Sequence, residues 1–121
     1  MMRKMHLDRA GRFAYVWQYV INPTRRDKFL AAYGSDGAWV QLFSRDSNYL
    51  GTVLLCDADS ENRFVTIDYW SSRDARDHFR KVHAADFSSL DQSCAAYTVT
   101  EEFMGDFMIV DPAEKPVHSR T

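Results

Sequence analysis

The strand-like stretches of this chain are apolar on both faces, and few folds can accommodate that. In Phe13 to Ile21, FAYVWQYVI, one face carries Phe13, Tyr15, Trp17, Tyr19 and Ile21 and the other Ala14, Val16, Gln18 and Val20. Tyr49 to Cys56, YLGTVLLC, and Arg63 to Trp70, RFVTIDYW, read the same way, with Val65, Ile67 and Tyr69 alternating with Phe64, Thr66 and Trp70. The polar segment 57–62 between them predicts a hairpin with a rather long loop. A last strand is expected over Thr98 to Val110, with Met104, Asp106, Met108 and Val110 opposing Phe103, Phe107 and Ile109 and with Gly105 marking a bulge. An antiparallel sheet with one face in water alternates apolar with polar, so here something covers each side.

Helical signals separate these strands. Asn22-Pro23 supplies an N-cap followed by proline at the first helical position. Phe29, Leu30 and Tyr33 form an apolar stripe, and Gly34 is placed for a left-handed C-cap. After the turn at Asp36-Gly37, the spacing of Trp39, Val40 and Phe43 predicts a second short helix lying over the sheet as a flap. Ser71 with Asp74 resembles a capping box opening a longer helix, whose stripe runs Ala75, Phe79, Val82, Asp86, Leu90, Cys94 and Tyr97 with a bend near Ala84 to Asp86.

The order is β-α-β-β-α-β, an α+β arrangement of the ferredoxin-like kind with a four-stranded antiparallel sheet. Its helices cover one face, and a second copy of the chain is the economical cover for the other, giving a homodimer. At 121 residues one core is expected, over 13–110, with residues 1–12 and 111–121 as flexible tails. Fifteen basic against seventeen acidic residues, of both signs and scattered, argue against nucleic acid as a partner. No run approaches a membrane span and no apolar run follows the basic N-terminus, so a cytoplasmic protein is expected. Cys56 and Cys94 lack metal-ligand spacing and read as buried, reduced thiols.

YLGTVLL at Tyr49 to Leu55, VTIDYWSSRDA at Val65 to Ala75 and LDQSCA at Leu90 to Ala95 resemble the antibiotic biosynthesis monooxygenase family of dimeric α/β barrels, over roughly residues 13 to 110. The resemblance implies that barrel fold. It also implies chemistry without a cofactor, in which an electron-rich phenol or hydroquinone is deprotonated and its anion passes an electron to O2. The protein then supplies a dry aromatic pocket, a base and a donor for the developing oxygen anion. The haem-degrading branch of the family matches poorly: the side-chain amide within the first strand is Gln18 where that branch has Asn, and His83 does not align with its haem ligand.

His83 is the candidate base, set beside Phe79, Val82 and Phe87; the structural reading is a packed histidine bonded to a strand carbonyl or to an acid such as Asp86. Asp68, within a strand on the face of Phe64, Thr66 and Trp70, needs a partner if ionised; it either orients a base or binds a substrate hydroxyl, or structurally it pairs with an Arg or accepts from backbone and Ser donors near Ser71 and Ser72. An aromatic content of 14% fits a filled core or a pocket for a flat ligand, and Tyr15, Trp17, Trp39, Tyr49, Trp70 and Phe79 are the candidate ring contacts. Two functions stand at this stage: an oxygenase or oxidase of a small aromatic, and a non-catalytic dimeric module that binds one.

Overall fold

The computed structural model describes residues 12–110. Strand β1 (Phe13–Ile21) leads through a 3₁₀ turn (Pro23–Arg25) into α1 (Arg26–Tyr33) and α2 (Ala38–Phe43). Strands β2 (Tyr49–Asp57) and β3 (Ser60–Trp70) follow, then α3 (Arg73–Val82), α4 (Ala84–Cys94), a second 3₁₀ turn (Ala95–Tyr97) and β4 (Thr98–Met108). The four strands make one antiparallel sheet in the order β2-β3-β1-β4. This is the expected ferredoxin-like α+β fold.

The alternation along β1 decides where the core lies. Phe13, Tyr15, Tyr19 and Ile21 are buried on one face and pack with Phe29, Tyr33, Trp39, Leu42, Phe43 and Phe79 of the helices. From β3 the same face receives Phe64, Thr66, Asp68 and Trp70, all buried. Phe13, Phe29, Trp70, Phe79 and Ile21 are fully buried, and each contributes roughly 1.5–3 kcal/mol of burial. The opposite face is open. There Val53, Val65, Ile67 and Tyr69 are half-buried, while Leu55 and Phe107 are about half exposed.

Two bulges break the alternation, and both act on the helix-covered face. In β2, Tyr49 pairs with Trp70 and Gly51 with Tyr69, so Leu50 is the extra residue and Tyr49 and Thr52 come to share a face. Gly51 has φ 140°, a conformation costly for any residue with a Cβ. In β4, Trp17 pairs with Phe103 and Val16 with Gly105, so Met104 is extra, and Gly105 has φ 142°. Strict alternation had put Phe103 across the sheet from Asp106 and Met108. The bulge at Met104 instead brings Phe103, opposite Trp17, onto the face that carries Asp106, opposite Tyr15.

Other sequence expectations shift by small, explicable amounts. Asn22 caps the first turn, accepting from Thr24 N–H at 3.1 Å. Gly34 closes α1 in an extended rather than a left-handed conformation, because the chain continues straight into a tight turn that leads to α2. The cap of α3 is Ser72, whose Oγ accepts from Ala75 N–H at 3.0 Å, while Ser71 Oγ is engaged with Asn48. The β2–β3 hairpin is tighter than its polar sequence suggests: Asp57 pairs with Ser60, and Asp57 accepts from Asp59 N–H to hold the turn. The long helix breaks at His83, close to the expected bend. Val82 of the expected stripe is 60% exposed, and its place against the sheet is taken by Arg76. Cys94 is buried as expected, but Cys56, on edge strand β2, is exposed. The expected tails lie outside the described residues except Arg12, whose carbonyl accepts from Ile109 N–H at 3.0 Å. Among the described residues no helix is long and apolar enough to cross a membrane.

Candidate active site

Between the sheet and the helices lies a cavity of about 160 Å³. Its floor is the row Tyr15, Trp17 and Tyr19 of β1 with Thr52, Thr66 and Asp68 beside it, and Glu101 of β4 at one edge. The roof is Tyr33 of α1 and Trp39, Val40 and Phe43 of α2, with Arg80, Phe87 and Asp91 from the two later helices. The short helix α2 therefore covers the site, which explains the break after α1: one continuous helix would carry Trp39 and Phe43 past it. Rings make most of the wall, with Tyr19 and Tyr33 centred 5.1 Å apart and Trp39 and Phe87 5.1 Å apart.

Asp68 is the buried carboxyl of the cavity floor. Its residue is 6% exposed. Oδ1 accepts from Thr52 Oγ1 at 2.5 Å, and Thr52 is in turn hydrogen-bonded to the Tyr49 hydroxyl, a contact between residues three apart that the β2 bulge permits. Burial pushes the Asp68 carboxyl up to about 7, against the opposing pull of the Thr52 bond and of Arg76. A carboxyl poised there exchanges protons near neutrality, which suits a general base. Oδ2 has no protein donor among the described residues and is left for the cavity.

The neighbouring tyrosines stay protonated. Burial, reinforced by Asp68, raises Tyr15 far above the usual phenol range, with Arg80 and Arg76 opposing. Burial likewise raises Tyr19 and Tyr33, and it pushes Tyr49 up to about 12. They therefore act as hydroxyl donors rather than phenolate nucleophiles at ordinary pH.

Under Tyr15 lies the best-packed charged group of the fold. The Arg76 guanidinium donates to Asp106 Oδ1 and Oδ2 at 3.1 and 3.0 Å and to Asp77 Oδ1 at 2.8 Å. It also sits 4.9 Å from the Phe13 ring centre and 4.5 Å from that of Tyr15. Arg76 holds Tyr15 from below and contributes positive potential to Asp68. Arg80, one helical turn on, lines the cavity itself with its guanidinium 4.5 Å from the Phe87 ring centre.

Of the residues singled out from sequence, Asp68, Tyr15, Trp17 and Trp39 come together around the cavity. Tyr49 stands one hydrogen bond behind Asp68, through Thr52. Trp70 and Phe79 are fully buried in the core beside it, their ring centres 5.2 Å apart, and do not reach the lining. His83 is the larger correction. It ends α3, its ring lies 4.5 Å from that of Phe79, and it is not among the cavity-lining residues. Thr52, Tyr33, Arg80 and Glu101 were not anticipated. Tyr33 was read only as part of the apolar stripe of α1, and Arg80 was open to notice as a cation one turn after Arg76 on a helix with a strongly one-sided pattern; Thr52 required the β2 bulge and Glu101 the sheet order. Among the described residues no group of His, Cys, Asp and Glu is arranged to hold a metal ion.

The fold is shared with solved oxygenase structures. SnoaB, a cofactor-independent oxygenase from Streptomyces nogalater, superposes with a TM-score of 0.67 at 19% identity, over 88% of this chain and all of that one. A single-residue variant of SnoaB gives the same TM-score at 22% identity and the same coverage. A candidate antibiotic biosynthesis monooxygenase from Nitrosomonas europaea superposes at 0.66 with 12% identity, over 86% of this chain and 95% of that one. No family model and no curated protein matches the chain. These likenesses establish a ferredoxin-like fold common to monooxygenase-type proteins.

Proposed function

We propose that the protein is a cofactor-independent oxygenase or oxidase of a small phenol or hydroquinone. The observation that carries this reading is Asp68: a carboxyl held near neutrality, with one oxygen unengaged, in a cavity walled by aromatic rings. A phenol lying on Trp17 and Tyr19 gives its proton to Asp68 Oδ2. Removing that proton makes the ring a far better reductant, and Arg80 stabilises the anion formed. The substrate supplies all the electrons. A hydroquinone and O2 give a quinone and H2O2, and a phenol and O2 give a quinone and water, so both reactions balance with no other reductant. The fold shared with SnoaB, itself a cofactor-independent oxygenase, supports this reading.

The volume narrows the substrate. About 160 Å³ matches cavities that hold one benzene-sized ring, so a single-ring phenol fits and a fused polyketide needs α2 to lift. A second copy of the chain is proposed to cover the open sheet face, where Leu55 and Phe107 are otherwise in water beside Val65 and Ile67. The test is O2 uptake by metal- and flavin-free protein with single-ring hydroquinones and phenols. Turnover that disappears in Asp68→Asn supports the reading. Tight binding with no O2 consumption refutes catalysis and leaves a ligand-binding module.

A further inference from the structure

The cavity floor holds two buried hydroxyls that are short of partners. Thr66 of β3 is 4% exposed and Tyr19 of β1 is 7% exposed, and both line the cavity. Among the described residues the one hydrogen bond of either side chain is the contact between them, Tyr19 Oη with Thr66 Oγ1 at 3.4 Å, where an O–H···O bond normally closes to about 2.7–2.8 Å. Two hydroxyls bring two protons, and one contact uses one of them. Burial raises Tyr19 far above the usual phenol range, so it keeps its proton. One buried O–H is therefore left without an acceptor, where such groups are ordinarily satisfied.

The strand sets the position of this spare donor relative to Asp68. Thr66 and Asp68 are two residues apart on β3, on the face that the helices cover, so they stand about 7 Å apart along the floor. Trp17 and Tyr15 of β1 pair with them in register and carry the floor alongside. The two ends of the span are complementary: Asp68 Oδ2 is an acceptor with no protein donor among the described residues, and the Tyr19–Thr66 pair holds a donor with no acceptor. Oxygens on opposite carbons of one aromatic ring match the span closely enough for both hydrogen bonds to run nearly straight. Oxygens on adjacent carbons stand much closer together and would have to splay both bonds. A ring with no second oxygen leaves the spare O–H buried and unpaired, which weakens its binding.

We infer that the Tyr19–Thr66 hydroxyl pair determines the specificity of this cavity, and that its ligand carries a second oxygen para to the hydroxyl held by Asp68, as hydroquinone does. The inference rests on the reading of the cavity as a phenol site and adds what recognises the far side of the ring. The pair suits both sides of an oxidation, because it donates to a hydroxyl oxygen and equally to the carbonyl oxygen that a quinone bears in its place.

Anaerobic isothermal titration of the intact protein with three probes of one size tests it: hydroquinone, para-cresol, whose methyl replaces the second hydroxyl, and catechol, whose hydroxyls are adjacent. Hydroquinone is expected to bind at least about tenfold more tightly than either of the others. In the Tyr19→Phe, Thr66→Val double variant hydroquinone should fall to the level of para-cresol, while para-cresol loses no affinity. Where the double variant does not keep the parent's melting temperature, each single variant is read instead for a reduced preference. Equal binding of hydroquinone and para-cresol overturns the inference while leaving the phenol site standing. So does a preference that survives undiminished in the variants, and so does catechol as the tightest ligand. Failure of all three probes to bind up to millimolar concentration removes the phenol site and the inference together, whereas selective binding of hydroquinone without O2 uptake upholds the inference and refutes only the catalytic reading.

Discussion

Replacing Asp68 with Asn should make the protein more stable at alkaline pH, and the size of the effect follows from the carboxyl's surroundings. The side chain is buried, and its carboxyl moves from an ordinary 3.8 to about 7. That is a difference of about 4 kcal/mol between its two protonation states. The sign is that of a carboxyl raised on folding. Below about pH 4 both folded and unfolded chains hold the proton and nothing is lost. As pH rises through 7 the unfolded chain has released its proton while the folded chain must ionise a buried group, so stability falls. Between pH 5 and pH 8 the loss is about 3 kcal/mol, roughly 10 °C or more in melting temperature for a domain of this size. Asn keeps the shape and the acceptor for Thr52 Oγ1 but cannot ionise. Thermal and denaturant unfolding of parent and Asp68→Asn from pH 4 to 8 should therefore draw together toward the acid end and separate at the alkaline end, the variant ahead. A variant less stable than its parent at pH 8 would show that Asp68 is ionised and paired in the folded protein, and would refute the base assignment with it.

Four further outcomes follow from the same contacts. Arg76→Met leaves Asp106 without its two-pronged partner and should cost about 3 kcal/mol in chemical denaturation; because Arg76 lowers the Asp68 carboxyl, any O2 uptake that survives should show an alkaline-shifted pH profile. His83→Ala should lose about 1 kcal/mol through its contact with Phe79 and keep full O2 uptake per folded molecule, since His83 does not line the cavity; a large drop in turnover at unchanged stability would return it to the mechanism. Ile67→Lys on the open face should convert a homodimer to a monomer with intact secondary structure, read by sedimentation, and a parent protein that is already monomeric at micromolar concentration refutes the proposed cover. Deleting Met104 should cost at least about 3 kcal/mol, because either Phe103 leaves Trp17 or Asp106 leaves Arg76; wild-type stability would mean that the bulge is dispensable.

The fold was legible because its determinants are periodic. The faces of β1 and β3 follow strict alternation, and the burial of Phe13, Tyr15, Tyr19, Phe64, Asp68 and Trp70 on one side is what alternation predicts. Local chemistry was also readable, as with Asn22-Pro23 at the first helical turn and the short α2 after Gly37. The errors in helices had a different source. In α3 the apolar stripe pointed to Val82, but a guanidinium that satisfies two carboxylates and lies on two rings can occupy a buried position that its charge seems to forbid.

The site was less legible because it is assembled where periodicity fails. Thr52 reaches Asp68 on the same face as Tyr49 only because Leu50 is an extra residue, and Asp106 reaches Arg76 on the same face as Phe103 only because Met104 is one. Each bulge lies beside a glycine with positive φ, and Gly105 did mark the second from sequence. A bulge signal gives the position of a break, but which partner is gained across it depends on the strand order, which brings β3 and β4 to either side of β1. His83 drew attention through its intrinsic pKa, a property of the residue type alone. Asp68 acquires a comparable proton affinity from burial, and burial belongs to the fold. In this protein the group suited to proton transfer near neutrality is therefore made by the packing around a common carboxyl, with both bulges placing the polar side chains that tune it.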